Sequence, residues 1–249
     1  MLLLAHRGLP GATRPENTLA AVAAALDAGA DGVEVDLRLT ADGVLALSHD
    51  PDLSRTAGLP VAVAETPWPR LQEVAGAHGL ALARAEDLLA LAQGRRVVLE
   101  VKQPPPGPAA TARTALAVAG LLRSLERAGL PLDVTVSSFA PPVVERVRRL
   151  LPPRSVVRTA LLGRPMVRPS SLLRQALQDG HDEVHPHVSA LLAQPEAVAT
   201  AHAVGLAVVP WTVNRRREVR RCERLGVDAL ITDVPAAARA ALSGAGTVA

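Results

Sequence analysis

Eight times along this chain a short run rich in Val, Leu, Ile and Ala stops at a polar residue, and a segment with helical periodicity follows. That alternation limits the possible folds more than any other feature. Aliphatic runs of this kind are strands buried on both faces, as in a parallel sheet covered by helices. They predict strands over residues 2–5, 33–39, 97–101, 133–136, 155–161, 183–187, 206–209 and 229–231. Helices are predicted over 19–28, 84–93, 109–128, 142–151, 170–178, 195–204, 215–225 and 235–242, the first capped by Asn17 or Thr18 and closed by Gly29. Eight such units in 249 residues make an α/β fold, a TIM (β/α)8 barrel spanning 1–249, with a doubly wound open sheet as the second choice. Residues 51–83 break the rhythm with Pro51, Gly58, Pro60, Pro67, Pro69, Gly76 and Gly79. They predict a short insertion after the second strand region, lying over the barrel mouth. Leu71 to Ala75 would form a helical turn or two, and the segment is too short to bury a core of its own.

Composition removes several function classes. Lys plus Arg number 27 against 24 Asp plus Glu, and aromatic residues are two Trp, Phe139 and no Tyr. A nucleic-acid surface would need a basic stripe interleaved with aromatics, so no nucleic-acid partner is expected. The cluster Arg215, Arg216, Arg217, Arg220 and Arg221 reads as the solvated face of a helix. Cys222 is the only cysteine, which excludes an intramolecular disulfide and suits a reducing compartment. The apolar run before His6 is too short for a signal peptide, and no apolar run approaches the length of a membrane span. A cytoplasmic protein without stable membrane insertion is expected.

The stretch ADGVEVDLRLTADGVLALSHD, from Ala30 to Asp50, carries the densest chemistry. Strand periodicity puts Glu34 and Asp36 on one face, about 7 Å apart along the strand. Two carboxylates so placed repel unless a cation lies between them, and a hard divalent ion is the usual solution. Asp42-Gly43 turns the chain toward His49, whose imidazole suits acid-base work near neutral pH. Glu100 and Lys102 repeat the pattern on the third strand, adding a third carboxylate and a cation. His6 and Arg7 close the first strand, and Trp211 and Asn214 follow the seventh. All of these fall at strand C-terminal ends, where barrels of this kind keep their sites. Read singly, each Glu-x-Asp or Glu-x-Lys pair is a solvated or salt-bridged face; their coincidence with two histidines favours a site.

His78, His181 and His202 lack such company and read as surface or packing residues. His185 and His187 share a strand face and either line the mouth or cap it. Three carboxylates, two imidazoles, an Arg and a Lys suit phosphoryl chemistry on a diester, with cations neutralising charge and imidazoles supplying base and acid. No Gly-rich phosphate loop or Walker lysine is present, and no Gly-x-Ser-x-Gly elbow surrounds Ser137 and Ser138.

These residues fall into an ordered set of motifs: His6-Arg7-Gly8, Pro15-Glu16-Asn17-Thr18, Glu34-Val35-Asp36, Thr40-x-Asp42-Gly43, His49-Asp50, Glu100-Val101-Lys102, Trp211-Thr212-Val213-Asn214 and Thr232-Asp233-x-Pro235. In order and spacing the set resembles the glycerophosphodiester phosphodiesterase family, most specifically from His6 to Asp50. The resemblance implies a TIM barrel that hydrolyses glycerophosphodiesters, such as glycerophosphocholine or glycerophosphoethanolamine, to glycerol 3-phosphate and an alcohol. It implies Glu34, Asp36 and Glu100 as ligands of Mg²⁺ or Ca²⁺, His6 and His49 as the acid-base pair, and Arg7 and Lys102 as the phosphate clamp. Trp211 would floor the glycerol site, and Asn17 would tie the first loop in place. The implied course is attack of the glycerol 2-hydroxyl on phosphorus, giving a cyclic phosphate that water opens.

Two alternatives stay open at this point. One is a related barrel phospholipase acting on lysophospholipid or sphingomyelin-type diesters, which would want an apolar entrance. The other is a barrel that binds a phosphorylated ligand without turnover, against which both histidines argue.

Overall fold

The structure is a computed structural model and describes residues 1–243. Eight parallel strands stand in sequence order: Leu2–His6, Gly32–Leu39, Arg96–Val101, Asp133–Ser138, Arg158–Gly163, Glu183–Pro186, Ala207–Val208 and Ala229–Thr232. The eighth returns to the first, with Leu2 beside Ala229 and Ala5 beside Thr232. Between the seventh and eighth strands there is no regular ladder, because Pro210 has no N–H to give. Backbone bonds still close the ring, from Asp228 N to Val208 O (3.1 Å), Ile231 N to Pro210 O (3.0 Å) and Val213 N to Ile231 O (2.8 Å). A closed parallel barrel with outer helices is the TIM architecture, and the open sheet is excluded.

Helices follow the predicted positions with two instructive differences. Thr18, not Asn17, caps the first helix, its hydroxyl accepting from Ala21 N. The helix predicted over 195–204 is Ala197–Ala203, and a further short helix, Val188–Ala193, precedes it where none is predicted, the two divided around Pro195.

Contacts between inward-facing side chains, one of them reaching from the third strand to the sixth, show how the interior is filled. At the N-terminal end, Arg96 of the third strand donates to Thr135 of the fourth and to Glu183 of the sixth, and Arg158 pairs with Asp133 and Glu183. Above this ionic floor lies an apolar layer of Leu4, Val98, Val209, Ala229 and Ile231. Above that, at the C-terminal end, the polar candidate residues gather.

The segment after His49 is more ordered than its prolines and glycines suggest. Asp52–Leu53 pairs antiparallel with Leu59–Ala62, the helix Ser54–Ala57 lies between them, and Trp68–Ala77 is a full helix. Leu53, Val63, Trp68, Leu71, Ala75 and Leu80 are buried together with Ala46 of the neighbouring strand Leu45–Leu47. The insertion therefore does hold a small core, which it completes by borrowing a residue from the barrel's own hairpin.

Candidate active site

The three carboxylates meet because of strand register. His6 stands beside Glu34 in the first pair of strands, and Asp36 beside Glu100 in the next. Glu34, Asp36 and Glu100 are buried, and each offers an oxygen within 4.8 Å of the others. Burial, and then the charge of Asp36, push the Glu34 carboxyl up to about 8. The same two causes raise Glu100. Burial works against ionised Asp36 as well, but Lys102, Arg7 and the Asn17 amide together hold it below the ordinary value. Such a cluster is short of positive charge.

The unpaired atoms agree. Lys102 Nζ stands 2.6 Å from Glu100 Oε1 and 3.3 Å from Asp36 Oδ1. Neither oxygen has a well-aligned hydrogen bond among the described residues. Oxygens already drawn around an ammonium, buried and without aligned donors, fit a hard divalent cation with carboxylate ligands.

The loop after the first strand is bent sharply into this cluster. Arg7 and Asn17 both adopt φ 57°, in the left-handed region that side chains avoid. Arg7 N donates to Glu34 O at 2.7 Å and Asn17 N to Arg7 O at 3.1 Å, which holds the bend. Gly8, at φ 81°, passes so close to the first helix that a Cβ would lie 2.7 Å from the Ala21 carbonyl carbon. The bend brings Arg7 Nε to 3.2 Å from Asp36 Oδ2. Asn17 grips Asp36 from both sides, Nδ2 donating to Oδ2 (2.8 Å) and Oδ1 accepting from Asp36 N (3.0 Å). It ties the loop in place, as expected, and does so through a candidate metal ligand.

Each candidate imidazole has a carboxylate at Nδ1. His6 meets Asp233 Oδ1 at 2.6 Å, and His49 meets Asp50 Oδ1 at 2.7 Å. A carboxylate there accepts a hydrogen bond from Nδ1–H, which keeps that proton on Nδ1 and leaves Nε2 free to exchange protons. His6 Nε2 lies 3.9 Å from Glu34 Oε2, facing the cluster. Burial would lower the His6 pKa, but the Asp233 bond and the Glu34 charge outweigh it and the net shift is upward. Asp233 is itself held by Asn214, whose Nδ2 donates to Oδ2 at 2.5 Å. Arg38 donates twice to the His49 carbonyl, at 3.1 and 2.8 Å. Asn214 is one of the polar residues expected at the strand ends, whereas Asp233 and Asp50 are not among the expected site residues beyond their motifs. Their positions at a strand end and next to His49 were the only signals.

Trp211 stands at the mouth in a small aromatic wall. Its ring meets Phe139 edge-on at 5.2 Å and His187 at 5.1 Å, and its Nε1 donates to His185 O at 3.0 Å. The two strand histidines part company here. His187 lies at the rim, where Nδ1 accepts from Ser189 N and caps the next helix, while His185 is fully buried against Glu183. On the other side of the mouth an open cleft of about 270 Å³ runs past Arg38, Pro51, Glu65, Lys102 and Gln103.

The remaining candidates are structural. His181 is buried against Thr159, His202 pairs with Asp228, and His78 meets Val74 O. Arg215 and Arg220 pair with Glu218 and Glu223 along the exposed helix Arg216–Leu225. Cys222 is buried, and that burial with the Glu218 charge pushes its thiol up to about 12, an inert packing residue. Among the described residues no helix is long and apolar enough to cross a membrane.

Carboxylates, paired imidazoles and two cations at the strand ends of a closed parallel barrel define a hydrolytic barrel enzyme. The model of the glycerophosphoryl diester phosphodiesterase family matches residues 6–237. The chain belongs to that family and is an enzyme of its class. It is 33% identical over 262 residues to "Probable glycerophosphodiester phosphodiesterase 1" of Mycobacterium tuberculosis, covering 96% of this chain and 91% of the relative. It is 28% identical to a glycerophosphodiester phosphodiesterase of Bacillus altitudinis, covering 94% of both. Its fold is similar, with a TM-score of 0.80, to an Oleispira antarctica phosphodiesterase solved in complex with the product sn-glycerol-3-phosphate, at 24% identity and with 98% of this chain and 97% of that one covered.

Proposed function

We propose that this enzyme hydrolyses glycerophosphodiesters to glycerol 3-phosphate and an alcohol, with a divalent cation at Glu34, Asp36 and Glu100 and with His6 and His49 exchanging the protons. The observation that carries this reading is the juxtaposition of three buried carboxylates with two imidazoles, each fixed at Nδ1 by its own carboxylate. Mg²⁺ or Ca²⁺ bound there would draw charge from the phosphoryl oxygens and so favour attack at phosphorus. Arg7 and Lys102 reach the same face and are suited to clamp the phosphate. Family membership supports the glycerol diester as substrate class.

The two sides of the mouth divide the substrate. The Trp211 wall adjoins Asn214 and Asp233, and hence His6, so the glycerol arm belongs there. His6 Nε2 then takes the proton of the glycerol 2-hydroxyl as its oxygen attacks phosphorus. The open cleft adjoins Arg38 and Pro51, on either side of His49, and suits the alcohol arm. His49 Nε2 then gives a proton to the departing oxygen, and the roles reverse when water opens the cyclic phosphate. A buried lone thiol and no disulfide suit action in the cytoplasm.

The test is release of glycerol 3-phosphate from glycerophosphocholine and glycerophosphoethanolamine, with Mg²⁺ or Ca²⁺ and with excess chelator, using folded His6→Ala and His49→Ala variants beside the parent. Loss of turnover with chelator and with either variant is the expected result. Turnover indifferent to metal would remove the three-carboxylate site from the mechanism.

A further inference from the structure

We infer that Arg55, on the insertion, is a positioning residue that sets the His49 imidazole through Asp50 and couples it to Arg7 through Glu16. This rests on the reading of His49 as the proton donor to the departing alcohol, and it gives the insertion a part in the chemistry.

Arg55 sits on the helix Ser54–Ala57 and spends its whole guanidinium on two carboxylates. Nε donates to Asp50 Oδ2 at 2.6 Å, while Nη1 and Nη2 donate to Glu16 Oε2 and Oε1 at 3.2 and 2.5 Å. The other oxygen of Asp50 is the one on His49 Nδ1. Glu16 Oε1 also accepts from Arg7 Nη1 at 3.0 Å, and Arg7 Nε is the group beside Asp36. A single file of alternating charge thus runs Asp36, Arg7, Glu16, Arg55, Asp50, His49. Its members come from the second strand, the loop after the first, the turn that follows the strand Leu45–Leu47, and the insertion.

Half of the Arg55 side chain is exposed, so its ion pairs add little to folding stability. What they fix is geometry. A planar fork with three donors engaged leaves Asp50 one rotamer, and that rotamer aims Oδ1 at the imidazole. Without Arg55 the Asp50 carboxylate is free to turn to water, and the His49 ring loses the partner that fixes its plane and tautomer. The adjacent Arg38 bonds hold only the His49 backbone. They cannot replace what Arg55 does for the ring.

The consequence is selective. Departure of an aliphatic alcohol needs a proton, whereas p-nitrophenolate leaves without one. Arg55→Gln and Arg55→Lys are to be compared with the parent and with His49→Ala, on glycerophosphocholine and on glycerol 3-phospho-p-nitrophenol, after thermal melts show them folded. Since general-acid catalysis contributes roughly 10²–10⁴-fold, the ratio of kcat for the choline diester to kcat for the nitrophenyl diester is expected to fall about 10-fold or more in Arg55→Gln. KM for the two should shift much less. Arg55→Lys, which reaches only one of the two carboxylates, should lie between, and His49→Ala should move the ratio the same way and further. Equal losses on both substrates in Arg55→Gln, with the ratio moved only in His49→Ala, would make Arg55 merely structural and overturn the inference while the reading of His49 stood. A ratio unmoved in His49→Ala would overturn both.

Discussion

The Nδ1 of His6 lies 2.6 Å from Oδ1 of Asp233, a residue 227 positions further along the chain. The first strand and the loop after the eighth therefore build one half of the proposed acid-base pair together. That half exists only once the last strand has docked against the first.

Asp233→Asn keeps the shape of this contact but can present an amide N–H to Nδ1, favouring the wrong tautomer. We expect kcat to fall by about 10²-fold, within the range that general acid-base catalysis supplies, with a much smaller change in KM. Steady-state kinetics on glycerophosphocholine decide it. A variant as fast as the parent would show that Asp233 does not orient His6.

The three carboxylates should make the folded protein bind and be stabilised by Mg²⁺ or Ca²⁺. An ion held at about a hundred times its Kd adds about 2.7 kcal/mol, which for a chain of this size raises Tm by roughly 5–10 °C. Glu100→Gln should abolish most of that rise while leaving the metal-free melt close to the parent's. No ion-dependent shift in the parent would contradict a cation site here.

The ionic floor of the barrel makes a separate prediction about acid. Burial opposes the charge of Glu183, but the His185 imidazole and the Arg96 guanidinium hold its carboxyl at about 2, against an ordinary 4.5. Because the folded value is the lower, the contribution is complete above pH 4.5 and is lost as pH falls toward 2; by linkage it is worth about 3 kcal/mol. Urea unfolding should therefore show stability dropping across that window, and Glu183→Gln, though weaker throughout, should show a flatter profile. Parallel profiles in the two proteins would contradict the shift.

Gly8 and Gly29 separate steric from conformational need. Both have positive φ, at 81° and 85°, but a Cβ on Gly8 meets the Ala21 backbone while one on Gly29 meets nothing within 4 Å. Gly29→Ala should cost about 1–2 kcal/mol from backbone strain alone. Gly8→Ala adds overpacking and should cost roughly 2–4 kcal/mol. Equal midpoints in urea would show that the first loop can yield.

Much of this was legible in the residues. Strand ends, the shared face of Glu34 and Asp36, and the echo at Glu100 and Lys102 are local patterns that the barrel preserves. What stayed hidden depends on distance in sequence. Nothing near Asp233 marks it as the partner of His6, and nothing near Arg96 and Glu183 marks them as halves of one buried pair. Arg55 sits in a segment whose rhythm is broken by seven prolines and glycines, Pro67 and Pro69 among them, with helix expected only over Leu71 to Ala75. Yet Pro67 is the cap and Pro69 lies in the first turn of Trp68–Ala77, where the missing N–H costs nothing. The helix expected over Leu71 to Ala75 thus starts at the prolines themselves and runs about three turns.

The joint between the seventh and eighth strands has a dynamic consequence. Elsewhere the ring is stitched by regular ladders, but here it is held by the few bonds that bypass Pro210. Backbone amides along this joint should exchange with solvent before those of the second and third strands. Local opening there would separate Trp211 and Asn214 from Asp233 while the carboxylates stay clasped between the best-protected strands. The protein would then breathe on the Trp211 side of its mouth, with the three carboxylates at rest.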